Sequence, residues 1–227
     1  MCSRYSLTSP PEAVRSYFRY QSPHVFPPRY NIAPTQPVGV VRILEGGPLA
    51  FTLVRWGLIP PWVKDPRTFA TLINARAETA PEKPSFRGAF RHKRCLLPAD
   101  GFYEWSGPVG AKRPHLIRPR AGGPLAFAGL FESWLGAEGS EIDTMAILTV
   151  AANGTVGTIH DRMPAILQPV DFDAWLDCRV VGVAAAHQLL RPAPDDLLDL
   201  IEVDPRLNNP RNEGAELQRP VPSGRLL

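Results

Sequence analysis

The chain of 227 residues has few cysteines: Cys2, Cys95 and Cys178, far apart and with no C-x-x-C pair. That excludes a disulfide framework and leaves no zinc signature, so neither a metal nor a cofactor is expected. No apolar run reaches ~18 residues, which excludes a membrane-spanning helix. The opening MCSRYSLTSPPEAV lacks the basic-then-apolar layout of a secretory signal, and the expected compartment is the cytoplasm. Charge of one sign is also scarce. A net charge of +3 permits binding to a polyanion without demanding it. Internal repeats and flexible linkers are missing too. The length suits one domain, expected over residues 2–220, with 221–227 as a loose tail and no signal for an assembly beyond a monomer.

What the chain has in quantity is proline, 26 residues spread along its length, which argues for many short elements joined by rigid turns. Ser9-Pro10-Pro11-Glu12 reads as an N-cap with proline at the first helical position. Residues 38–44 and 50–58 read as strands joined by the Glu45-Gly46-Gly47-Pro48 turn. Further strands are expected at 94–98, 101–105, 114–118, 125–134 and 144–151, with a hairpin at Ala121-Gly122-Gly123-Pro124. Helical stretches at 170–177 and 183–190 and a strand at 200–203 follow. Strands fill the middle and helices lie at the periphery, the pattern of an α+β fold. The stretch RGAFRHKR, from Arg87 to Arg94, is either a solvated basic face or a phosphate-binding patch.

Cys2 follows a removable Met1, and a chain that starts at Cys2 carries a thiol and an amine on adjacent carbons. That pair attacks an aldehyde first as an imine and then by closure to a five-membered thiazolidine, which no internal cysteine can do. An ordinary α-amine titrates at about 7.7–8.0 and an ordinary thiol at about 8.5, which leaves both nucleophiles available near neutrality. Cys95 and Cys178 lie in apolar stretches and read as structural. Glu104 sits among Phe102, Tyr103 and Trp105 and, in a strand, faces the same way as Phe102. Such a carboxyl is either pushed up toward neutrality, where it can move protons, or held in an edge salt bridge. His160 precedes Asp161, Arg162, Met163 and Pro164 on an expected strand-to-loop corner, as a reactive group or a hydrogen-bonding one. Asn74 either orients a sugar or aldehyde oxygen, with Arg76 on its face as a phosphate ligand, or caps a helix with Arg76 and Glu78 in solvent.

Seven segments carry a resemblance. Met-Cys-x-Arg at the start, RYNIAP (29–34), RWGLIPPW (55–62), INARAET (73–79), SFRGAFRHKRCLLPADGFYEW (85–105), IHDRMP (159–164) and NNPRNEGAEL (208–217) resemble, in order, the SOS-response-associated peptidase (SRAP) family. The resemblance runs from Cys2 to about Pro220. It implies a single domain with a barrel-like, mixed and antiparallel core and short peripheral helices. It implies covalent capture of abasic sites in single-stranded DNA, in the cytoplasm and at the nucleoid when acting. In that family Cys2 would form the thiazolidine with the deoxyribose aldehyde, and Glu104 would shuttle protons. His160 would assist ring opening and cross-link reversal, and Asn74 would orient the reactants. Arg4, Arg76 and Arg162 fall where the family contacts DNA phosphate, and Pro34 and Trp62 fall at its DNA-bending wedge. Ser3 stands where the family commonly has glycine, so strain is expected there if the backbone needs a positive φ.

Two other classes use the same start. An N-terminal-nucleophile cysteine peptidase or amidohydrolase would direct the Cys2 thiol at an amide and need an oxyanion hole. A non-catalytic single-strand binder would leave Cys2 idle.

Overall fold

A computed structural model describes residues 2–44 and 47–221. In chain order its elements are β1 (Tyr5–Leu7), α1 (Pro11–Phe18), β2 (Arg29–Ile32), β3 (Pro37–Ile43), β4 (Leu49–Trp56), β5 (Asn74–Arg76) and α2 (Arg87–His92). There follow β6 (Arg94–Ala99), β7 (Gly101–Ser106), β8 (Arg113–Pro119), β9 (Leu125–Leu135), β10 (Glu141–Ala151) and α3 (Gly154–Gly157). The chain ends with β11 (Arg162–Pro164), β12 (Ile166–Leu167), α4 (Phe172–Leu176), α5 (Val183–Gln188) and β13 (Leu198–Glu202).

Five of these strands close a ring. β10 pairs with β4, β4 with β3, β3 with β6, β6 with β9, and β9 returns to β10. Only the β4–β10 contact in this ring is parallel, so the barrel is mixed. Closure pairs the strand edges, which explains how β6, RCLLPA, can be buried along its whole length. Small residues admit the bulky ones. A Cβ on Gly129 would stand 2.8 Å from the Cys95 sulfur, and one on Gly39 would stand 1.8 Å from Phe51 Cζ. Cys95 is buried as expected, whereas Cys178 is only partly covered.

A second, antiparallel sheet in the order β13-β8-β7-β1-β2 packs on the barrel. Aromatic edges join the two layers: Tyr5 of β1 meets Trp56 at 5.4 Å and Phe127 at 6.4 Å, and Phe102 of β7 meets Phe127 at 5.8 Å. The same strand β1 carries the chain start, so the packing that buries Tyr5 also fixes where Cys2 can go. The family's expected α+β barrel is the fold observed.

Several local expectations need correction. Ser9 does not cap α1; Pro10 occupies the cap and Pro11 opens the helix. The Ser9 hydroxyl donates to Asp100 at 2.6 Å instead, tying the helix entrance to the β6–β7 turn. The Gly122-Gly123 turn makes no hairpin, because β8 pairs in the second sheet and β9 in the barrel; the turn carries the chain between layers. The β3–β4 hairpin is present from Pro37↔Arg55 to Ile43↔Leu49, although Glu45 and Gly46 of its turn lie outside the described residues. Most of the suspected tail, 222–227, lies outside them too. The basic stretch 87–94 divides. Arg94 is buried and donates to the carbonyls of Phe90, Trp175, Asp177 and Val181, and Lys93 pairs with Glu132. Arg87 and Arg91 are left exposed on α2. No helix among the described residues is long and apolar enough to cross a membrane.

Candidate functional site

The chain start runs antiparallel to β7: Tyr5 faces Phe102, and the Tyr103 amide donates to the Arg4 carbonyl at 2.9 Å. That register carries Cys2 along β7 toward Glu104. The Asn74 side-chain amide donates to the Cys2 carbonyl oxygen at 2.7 Å. Asn74 opens β5, a three-residue strand held by parallel pairing with Ile147–Thr149 of β10, so the helix-cap alternative is set aside. Glu104 Oε2 stands 4.0 Å from His160 Nε2. Thus Cys2, Asn74, Glu104 and His160, from four separate stretches of chain, meet where the second sheet abuts the barrel.

The electrostatics differ by group. Burial pushes the Glu104 carboxyl above the ordinary carboxylate range, and His160 opposes this only in part. Glu104 is buried on β7, an interior strand of its sheet, with His160 as an ionisable neighbour. Burial also pushes the Cys2 thiol up, and the nearby Glu104 carboxylate adds to the effect. The thiol donates to the Arg4 carbonyl at 3.7 Å, as a neutral S–H would. In the chain that retains Met1, Cys2 has no solvent-accessible surface.

His160 sits on a corner, but a short helix intervenes between β10 and it: α3 ends at Gly157, and β11 begins at Arg162. The backbone N–H of Arg162 donates to His160 Nδ1 at 2.9 Å. The Arg162 carbonyl lies 3.2 Å from the same Nδ1, and Nε2 is the atom directed at Glu104. The exposed Asp161 carboxylate also approaches Nδ1, at 3.1 Å, the partner sequence could not assign.

The expected phosphate ligands are less alike than their charge suggests. Arg76 is exposed on β5, two residues from Asn74 and on its face. Arg4 donates to Asn31 Oδ1 at 2.7 Å and to the Leu207 carbonyl at 3.1 Å, with its guanidinium 5.7 Å over the Trp105 ring. Arg162 is forked onto Glu78 at 2.6 and 2.8 Å and donates to the Thr149 carbonyl at 2.6 Å. Pro34 lies in the β2–β3 turn, where the Thr35 amide donates to the Trp56 carbonyl at the end of β4. Trp62 is 56% exposed and meets Phe69 edge-on at 5.5 Å. Ser3 has no positive φ, so the strain expected from serine in place of glycine does not arise.

Some residues near the site escaped the sequence reading. Asn31, fully buried within RYNIAP, holds Arg4 with its oxygen and donates to the carbonyls of Leu207, Asn209 and Asn212. It therefore pins the C-terminal NNPRN stretch against the chain start. Trp105 and Lys112 line an open groove of about 480 Å³ with Ser3, Arg4 and Asn208. Their only signal in the sequence was an aromatic beside Glu104. Among the described residues no group of three or more His, Cys, Asp or Glu is arranged to hold a metal.

Residues 1–210 match the family described as SOS response associated peptidase (SRAP). The abasic site processing protein YoqW of Bacillus subtilis is 38% identical over 96% of this chain and 98% of its own length. The abasic site processing protein HMCES of Gallus gallus is 36% identical over 75% of this chain and 57% of its own. A solved structure from Bacteroides thetaiotaomicron superposes with a TM-score of 0.85 at 25% identity, covering 97% of this chain and all of that one. A second, from Bordetella bronchiseptica, gives 0.78 at 28% identity over 89% of this chain and all of its own. Family match and near full-length relatives together place the chain in the SOS response associated peptidase (SRAP) family.

Proposed function

We propose that this protein processes abasic sites in single-stranded DNA by covalent capture through Cys2 once Met1 has been removed. The observation that carries the reading is the convergence of Asn74 on the Cys2 carbonyl, at 2.7 Å, beside the Glu104–His160 pair. Relatives named abasic site processing proteins over nearly the full length of the chain support the substrate class.

The chemistry follows from the groups present. Loss of Met1 turns the Cys2 amide nitrogen into a primary amine. The freed amine is the first nucleophile, since the imine must form before the thiol can close the ring. It adds to the open-chain aldehyde, and water leaves as the imine forms. Protonated Glu104 supplies the proton that the departing oxygen needs, and its raised pKa favours that protonated form. The sulfur then adds to the imine carbon, and its proton returns to the Glu104 carboxylate. Aldehyde plus aminothiol gives thiazolidine plus one water. Closure is intramolecular, where effective molarities reach about 10⁵ M or more, so the ring holds a lesion that a simple imine would release. His160, with Nε2 directed at Glu104, serves ring opening of the sugar and reversal of the cross-link. Arg4, Arg76 and Arg162 serve phosphate, and Pro34 and Trp62 bend the strand; phosphate contacts give affinity without sequence preference.

An amidohydrolase reading loses support at Asn74, whose amide is engaged by the carbonyl of Cys2 itself rather than directed at an incoming oxyanion. Intact-mass analysis after incubation with a uracil-excised single-stranded oligonucleotide tests the proposal. The expected adduct is protein without methionine, plus oligonucleotide, minus one water, and stable without borohydride. An adduct seen only after reduction, or one formed equally by Cys2→Ala, overturns it.

A further inference from the structure

Arg162 and Arg76 flank a carboxylate. Glu78 meets both terminal nitrogens of Arg162 at 2.6 and 2.8 Å, and Arg76 lies two residues away along the same segment. A guanidinium fork fits a carboxylate and a phosphate with the same pair of parallel N–H bonds. We infer that Glu78 occupies the seat of a DNA phosphate on Arg162 and is displaced by the strand, so that it acts as a built-in competitor against undamaged single-stranded DNA. The inference rests on the reading of Arg162 as a phosphate ligand.

Three features make the exchange practicable. Glu78 is about half exposed, its side chain at 52%, so it can swing into water without burying a charge. Arg162 cannot follow it, because its side chain is 12% exposed and the Thr149 carbonyl holds the guanidinium on β10 at 2.6 Å. The Nε–H of Arg162 is buried with no acceptor among the described residues, so the guanidinium is not fully satisfied where it rests. The carboxylate is held ionised by the hydrogen bonds from Arg162, with Arg76 adding to the effect. An incoming phosphate therefore gains Arg162 only by giving up the charge already neutralised there. For undamaged DNA the exchange lowers the net gain from Arg162 without cancelling it. For an abasic strand the covalent bond at Cys2 makes up the difference, so the competitor costs capture little while it weakens idle binding.

The same segment bears on His160, since the Arg162 N–H holds its Nδ1. Keeping Arg162 still while its counter-anion is exchanged leaves that ring in place. A mobile arginine would not.

Fluorescence anisotropy with an undamaged single-stranded oligonucleotide tests this, using full-length wild type, Glu78→Gln, Arg162→Gln and the double variant. Between about 50 and 200 mM salt, Glu78→Gln is expected to bind about three- to tenfold tighter than wild type. Its log–log salt slope should steepen by about one, because a cation once paired internally becomes available to the strand. The gain should vanish in the Arg162→Gln background. Unchanged or weaker binding by Glu78→Gln, while Arg162→Gln is weakened, overturns the competitor and leaves the phosphate reading standing. Arg162→Gln binding as wild type overturns that reading and the competitor with it. A gain for Glu78→Gln that persists without Arg162 also overturns the inference, since general charge would then explain it.

Discussion

Desolvation acts on Cys95 in the barrel and on Glu104 in the seam between the layers, with opposite consequences. Both groups have pKa values pushed up by burial. A thiol starts above neutrality, so the shift carries Cys95 away from reactivity, and the sulfur serves as packing against Gly129. A carboxyl starts below neutrality, so the same shift carries Glu104 toward the range where it can give and take protons. The barrel is a closed ring that buries mostly apolar side chains, with Arg94 tied to backbone carbonyls, whereas the seam buries Asn31 and Glu104 beside Arg4, the C-terminal carbonyls and His160. Stability is concentrated in one region, and chemistry in the other.

The sharpest way to break this comparison is to exchange the roles of the two buried thiols. Cys2→Ala should form no heat-stable conjugate with abasic single-stranded DNA on a denaturing gel, with an unfolding midpoint close to wild type. Cys95→Ala should conjugate at the wild-type rate and lose about 1 kcal/mol of stability in urea, as a small cavity opens in the barrel. A Cys2→Ala protein that still conjugates would move the nucleophile elsewhere. Next in size is Glu104→Gln, expected to slow conjugation about 10²-fold in single-turnover kinetics. Wild type should lose rate as pH rises through the raised Glu104 pKa, and the variant should lack that step. Equal rates at every pH would remove the proton-transfer role.

A barrel substitution should do the reverse. Gly39→Ala places a Cβ 1.8 Å from Phe51 Cζ, and Phe51 is hemmed in by Tyr20 at 5.3 Å and Phe26 at 5.2 Å. Overpacking there is expected to cost about 1–3 kcal/mol by chemical denaturation while leaving the conjugation rate per folded molecule unchanged. A slowed rate in the folded protein would show that barrel strain reaches the seam.

What the sequence made legible divides along the same line. The β3–β4 hairpin and the long strands β9 and β10 follow from apolar runs bounded by glycine and proline, a local signal. Strands β5, β11 and β12 have three residues or fewer, and β5 and β12 exist only through partners far along the chain. Helix α2 was hidden in a charge run because only Ala89 and Phe90 of it are buried. In the site, the aromatic company of Glu104 was visible locally. The Arg4–Asn31 contact spans 27 residues and the Arg4–Leu207 contact 203, and no local pattern encodes either. Family resemblance supplied the residues of the site but not the fork between Glu78 and Arg162, which is a matter of tertiary geometry.

The smallest expected effect concerns stability and gives the comparison a sign. Burial raises the folded pKa of Glu104 above its unfolded value of about 4.3. The folded state therefore holds that proton more tightly, and the stability it confers is complete below about pH 4.3 and lost as pH rises through the folded pKa. At neutral pH and above, the ionised carboxylate is a buried charge that His160 offsets in part. Glutamine cannot ionise. Glu104→Gln should thus unfold at higher urea than wild type at pH 8, with the advantage shrinking as pH falls toward 4, where the protonated acid and the amide are alike. Cys95→Ala should show no such trend, since its thiol stays neutral across that window. A Glu104→Gln advantage that is flat with pH, or grows toward acid, would mean that Glu104 is not desolvated in solution. The seam would then lack the buried acid that separates it from the barrel.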